Sequence, residues 1–343
     1  MRKALFIGGT GTISTAITTL AAKSGWDMYV LNRGNRNHEL PANVHTIHCE
    51  DVNNEENVRN ILGDMTFDVV ADFIGFVPEQ LERDFRLFAG RTAQFMYISS
   101  ASAYQKPLSD YRITESTPLL NPYWEYSRNK IACEEYLMKR YREDGFPITI
   151  IRPSHTYCER SVPLGIHGSN GSWQVILRML AGKPVIVQGD GTSLWTMTSS
   201  EDFAKGFVGL MGNVHAIGET YQITSDETLT WNQIYRTIAD ALGVDYIPCY
   251  VPSDFLAATA PKKYDMEGNL LGDKANSVVF DNAKLKRAVP GLAMTIRFDQ
   301  GVRRTLDYCM AHSDEQIPDP EFDQWCDRLV SVMKDAKEKM LTD

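Results

Sequence analysis

The chain has little that would place it in a membrane. No window approaches the roughly 20 consecutive apolar residues of a spanning helix. The first apolar run, Ala4 to Ile7, stops at glycines and is too short for a signal peptide. Cysteine is sparse: six in 343 residues, at 49, 133, 158, 249, 309 and 326, with no Cys-x-x-Cys pair. That spacing carries no zinc signature and predicts no metal site. Scattered cysteines suit a reducing compartment. Positive charge is in deficit, with 35 Lys and Arg against 44 Asp and Glu and a net charge of −9. Such a balance disfavours nucleic acid or an anionic membrane as a partner. There is no internal repeat and no low-complexity tract. A soluble cytoplasmic protein is expected.

What is present is enough for a sizeable core: 43% of residues are hydrophobic. The length suits one large domain or two joined ones. Short apolar runs mark strands at 3–7, 27–31, 44–49, 67–74, 94–100 and 148–153. Helical patterns fall between them at 12–24, 78–89 and 124–144. Strand–helix–strand alternation at this pace predicts an α/β fold with a parallel sheet covered on both faces. Segment 67–74 is nearly all apolar, as in a strand buried on both sides. Later candidates are strands at 183–189 and 219–224 and helices at 200–212 and 230–243. Thr230 and Gly243 read as the caps of the last helix. The polar stretch 261–277 reads as a loop, and the charged tail 313–343 as helical at its end.

"FIGGTGTIS", residues 6–14, follows the first strand and opens the first helix. Gly8, Gly11 and Ser14 sit at GxxGxxG spacing, with the third glycine replaced. Glycines let a backbone turn tightly and approach a pyrophosphate, which the helix N-terminus then attracts. Gly8, Gly9, Thr10, Gly11, Thr12 and Ile13 are the candidate cofactor loop. The second strand ends in Asn32 and Arg33, with Arg36 nearby, where an acidic residue would mark NAD. Guanidinium pairs well with a 2′-phosphate, so NADP is favoured over NAD.

These motifs stand in a longer ordered series. "CEDVNN" (49–54), "FIG" (73–75), "YISSASAY" (97–104), "YSRNK" (126–130), "IIRPSHTY" (150–157), "GDGTSLWTMTSSEDFA" (189–204) and "FDNAKLKRAVPG" (280–291) follow in turn. In this order the chain resembles the extended short-chain dehydrogenase/reductase family, the NAD-dependent epimerases and dehydratases. It is also similar to the chloroplast stem-loop-binding members of that family. The resemblance implies a Rossmann doubly wound parallel sheet with a smaller C-terminal substrate-binding subdomain. Residues 1–162, with returning segments near 200–228, would form the first part, and 163–199 with 229–343 the second.

The resemblance also implies roles. Tyr126 is the acid/base, Lys130 lowers its pKa and holds the nicotinamide ribose, and Ser100 steadies the substrate oxygen. Asp51 and Val52 match adenine-binding positions; Ile74 and Gly75 match backbone near ribose and phosphate. Pro153 and His155 are expected at the cofactor, and Ser102, His155 and Trp195 at the substrate. The implied activity is hydride transfer at a secondary alcohol or carbonyl of a sugar or sugar-nucleotide-like molecule. The implied dimer uses the helices at 78–89 and 124–144. The alternative is a non-catalytic dinucleotide- or RNA-binding protein.

Three departures from the family bear on substrate. Ala101 and Ser102 stand where 4,6-dehydratases carry Asp-Glu, which argues against dehydration by that mechanism. His155 replaces an asparagine and brings a group that titrates near neutrality. Trp195 replaces the arginine that clamps a nucleotide diphosphate. Either it offers a stacking surface or it is core and Arg160, Arg178, Lys183 or Arg297 acts as the clamp.

Overall fold

The structure is a computed structural model that describes residues 2–36 and 40–342. Its centre is a seven-stranded parallel sheet: β1 (Lys3–Ile7), β2 (Asp27–Asn32), β3 (His45–His48), β4 (Val69–Asp72), β5 (Phe95–Ile98), β6 (Ile148–Pro153) and β7 (Glu219–Ile223). The spatial order is β7-β6-β5-β4-β1-β2-β3. β1 pairs with β2 on one side and β4 on the other, so the winding reverses there. Ligands of open α/β sheets bind at such a switch point, beyond the strands' carboxyl ends.

Alternation along β1 shows why both faces need cover. Ala4 and Phe6 join one apolar cluster, with Ile17, Phe203 and Phe207. Leu5 and Ile7 join another, with Leu81, Phe88, Cys133 and Leu137. Adjacent residues of a strand point to opposite faces. The first cluster is closed by α1 (Ser14–Lys23) and α6 (Ser200–Leu210). The second is closed by α2 (Glu55–Leu62), α3 (Pro78–Phe88) and α4 (Glu125–Asp144). A third cluster lies off the sheet and includes Trp173 and Ile176 of α5 (Trp173–Leu180), Trp195, and Trp231 and Tyr235 of α7 (Trp231–Leu242). Thr230 accepts from the Gln233 N–H in a capping box, and Gly243 ends α7 at φ +70°.

The stretch 261–277 is not a loop. It holds a 3₁₀ turn, Lys262–Tyr264, and a π-helical turn, Glu267–Lys274, in which the Ala275 N–H donates to the Leu270 carbonyl at 2.9 Å. Its glycines imitate loop composition but serve packing. A Cβ on Gly268 would lie 2.1 Å from Trp124 Cδ1. Leu270 is fully buried. π-Turns are rare and concentrate at functional sites.

Candidate active site

The glycine loop fits a dinucleotide by its backbone. Gly8 has φ +84°, and a Cβ there would come within 2.6 Å of Ile74 Cγ2. Gly9 is closed in on the sheet side, where an added Cβ would lie 2.8 Å from Val30 Cγ2, so its role is packing. Ser14 donates to the Gly8 carbonyl and accepts from the Gly11 N–H, both at 2.8 Å. The replaced third glycine thus ties the turn together. No side chain caps α1 at Ile13, so its first N–H groups have no side-chain acceptor there.

Beside this loop is a cleft of about 530 Å³. Gly8, Thr10, Gly11, Asn32, Arg33, Arg36, Asp51, Val52 and Ile74 all line it. Asn32 is braced by the Gly34 N–H at 2.8 Å, and Asp51 by the Asn53 N–H at 2.9 Å. Arg83, which the motif reading missed, supports the floor. It is nearly buried, donates to the Val52 carbonyl at 2.9 Å and forks onto Asp84. Burial and the neighbouring Asp72 push the Asp84 carboxyl well above its usual range. Thr12 instead faces a groove on the outer side of α1.

A second pocket, about 250 Å³, is lined by Ser100, Ser102, Trp124, Tyr126, Pro153, Ser154, His155, Thr156, Asp273 and Lys274. Thus residues far apart in sequence meet around Tyr126. Ser100 follows β5 and caps the turn Ala101–Ala103. Its hydroxyl pairs with that of Ser102 at 2.8 Å, and Ser127, buried in α4, donates to Ser102 at 2.7 Å. Ser99 is spent elsewhere: it donates to Glu134, which forks with Arg152. Pro153 and His155 lie in this pocket and not in the cleft around Arg33.

Lys130 lies one turn beyond Tyr126 on α4 and is 2% exposed. Its ammonium donates to the carbonyls of Gly75 and Ile98, each at 2.7 Å, and lies 5.7 Å from the Tyr126 ring centre. Burial brings its pKa down to about 8, opposed by Asp72. Burial also raises the Tyr126 pKa, with the Ser100 hydroxyl opposing and Asp273 adding to the rise. In the chain by itself the Tyr126 pKa is therefore raised and not lowered as expected, with burial the largest cause.

Two further expectations change. His155 does not titrate near neutrality; burial, with Lys274 and His167 beside it, holds its pKa well below the usual value. Its Nδ1 is buried without a hydrogen-bond partner. Trp195 does not face the pocket. It is 2% exposed and stacks on Trp231, with centroids 5.6 Å apart, so the core alternative describes it. Trp124, Asp273 and Lys274 were missed. A polar stretch between Gly268 and Asn276 gives no periodic signal that would place it at an active site.

The sequence matches the profile described as the NAD dependent epimerase/dehydratase family over residues 4–224. The chain belongs to this family. Among characterised relatives, 2′-dehydrokanamycin reductase of Streptomyces kanamyceticus is 23% identical over 74% of the chain and 71% of the relative. The chloroplast stem-loop binding protein of 41 kDa b of Arabidopsis thaliana is 25% identical over 77% and 68%. Among solved structures, UDP-glucuronic acid 4-epimerase from Bacillus cereus in complex with NAD superposes with TM-score 0.70 at 18% identity, covering 90% of this chain and 99% of the other. Epimerase Mth375 from Methanothermobacter thermautotrophicus gives 0.72 at 16% identity, covering 91% and 93%. These structures share the Rossmann fold of the epimerases and dehydratases.

Proposed function

We propose that the protein is a nicotinamide-dependent oxidoreductase or epimerase that moves hydride at a secondary alcohol or carbonyl of a sugar. One observation carries this reading: Ser100, Tyr126 and His155 line one pocket, with Lys130 packed a turn behind Tyr126. The cleft beside the glycine loop would hold the adenosine half of the cofactor. A bound nicotinamide supplies the hydride acceptor or donor. Tyr126 gives or takes the proton at the substrate oxygen, which the Ser100 hydroxyl hydrogen-bonds. Ser102 and Ser127 fix the direction of that hydroxyl through their own hydrogen bonds. Lys130 has one N–H left for a ribose hydroxyl after serving Gly75 and Ile98. Its cation, and a positive nicotinamide ring, would favour the phenolate in the loaded enzyme. We assign residues 163–199 and 229–343 to the substrate side; they supply most of the third apolar cluster, while Leu285 packs into the first.

Arg33 and Arg36 on the cleft support NADP as the preferred form. Calorimetry should show tighter binding of NADP than NAD and loss of that difference in Arg33→Ala; tighter NAD binding by the native chain refutes the preference. A dimer through α3 and α4 is expected, and light scattering checks it. The stem-loop-binding relative supports a second reading, RNA binding without catalysis. It requires affinity that falls steeply with salt. Cofactor reduction by a sugar that disappears in Tyr126→Phe decides for the enzyme.

A further inference from the structure

The tryptophan in the place of the diphosphate-clamping arginine has a structural consequence. Trp195 stacks on Trp231, whose indole N–H donates to the Lys274 carbonyl at 2.9 Å. The neighbouring Leu194 accepts from the Val278 N–H and donates to Ser277 Oγ, both at 3.0 Å. This position therefore braces the π-turn and reaches no ligand. The cations that could stand in are engaged elsewhere. Arg178 and Lys183 both bind Asp323 and Asp327, and Arg297 pairs with Asp299. Arg160 lines the groove against α1, away from Tyr126.

The braced turn delivers Asp273 and Lys274 to the reaction pocket, 3.7 Å apart; the buried Lys106 also acts on the Asp273 carboxylate. Lys274 is further held by Asn269. His155 adds an uncharged ring. Trp124 forms the remaining wall; its N–H donates to Asp265 at 2.7 Å, and Gly268 and Gly272 pack against it. A carboxylate accepts from hydroxyls, an ammonium donates to them, and an indole face covers C–H groups of a sugar ring. A nucleotide diphosphate would bring two negative charges to a pocket where Lys274 already serves Asp273.

Resting on the hydride-transfer reading above, we infer that the substrate is a sugar unit without a nucleotide diphosphate, a free sugar or a glycoside, gripped by Asp273, Lys274, His155 and Trp124. The test uses protein loaded with NADP and, in parallel, with NAD. UDP and UDP-glucose are titrated by calorimetry; D-glucose, methyl β-D-glucoside and kanamycin are assayed by cofactor absorbance and by NMR of products, which also detects a silent epimerisation. UDP and UDP-glucose should show no binding tighter than about 1 mM. An unlinked sugar should be turned over, with KM raised about tenfold or more in Asp273→Asn and in Lys274→Met while cofactor affinity stays within about twofold. UDP-glucose bound in the micromolar range, or turned over with Tyr126 required, overturns the inference and leaves hydride transfer at a sugar standing. Turnover of no sugar, linked or unlinked, with either NADP or NAD bound, removes both.

Discussion

Replacing Lys130 by methionine should change how stability depends on pH, in a direction fixed by its burial. Lys130 is 2% exposed and its ammonium donates to the carbonyls of Gly75 and Ile98. Its pKa falls from the ordinary 10.5 to about 8. The unfolded chain therefore binds the proton more tightly than the folded one between those values. Below pH 8 the folded state carries the full cost of the buried charge, and stability rises with pH from about 8 to 10.5. At about 1.4 kcal/mol per pKa unit, the swing is on the order of 2 to 3 kcal/mol between pH 7 and 10. Other groups also titrate there, so the quantity to follow is wild type minus Lys130→Met. Methionine removes the titration and two charge-assisted hydrogen bonds, at about 1–3 kcal/mol each, although the Gly75 carbonyl still accepts from the Tyr97 hydroxyl at 3.2 Å. Urea unfolding, followed by tryptophan fluorescence at both pH values, measures the difference. Wild type should gain on the variant as pH rises. A constant difference, or one that shrinks with pH, would mean that the amine is not held charged and buried as described.

Gly8→Ala should weaken cofactor binding by about tenfold or more, because φ is +84° and its Cβ would meet Ile74 at 2.6 Å. Gly11→Ala meets only Ser14 Oγ at 3.4 Å and should cost less than about threefold; equal effects in calorimetry would contradict this account of the loop. Ser14→Ala removes the bonds to Gly8 and Gly11 and should lower unfolding free energy by about 1–2 kcal/mol, and Ser14→Gly should not restore it. A Ser14→Gly variant as stable as wild type would show the serine to be a neutral replacement.

The sheet was legible because strands buried on both faces leave continuous apolar runs, as in 95–98, and because the glycine loop sits between β1 and α1. Ser100, Tyr126 and Lys130 were singled out through the family resemblance; one turn of helix places 126 and 130 on one side, and Ser100 and Tyr126 line one pocket. The opposite wall was not. Asp273 and Lys274 lie well over a hundred residues from Tyr126, and their position depends on a chain of contacts through Trp195 and Trp231. A tryptophan that braces and one that stacks on a ligand have the same one-letter code. Nor does sequence foretell pKa: His155 and Tyr126 owe their shifts to burial, which only the packed structure reveals.

The central claim is that Tyr126 moves the proton while the neighbouring cleft holds the cofactor. It is tested most directly by comparing wild type and Tyr126→Phe for NADP and NAD affinity and for turnover of the same sugar panel, read by cofactor absorbance and by product NMR. The account predicts affinity within about twofold and turnover down by about 10² to 10⁴. Unchanged turnover in the phenylalanine variant would contradict it.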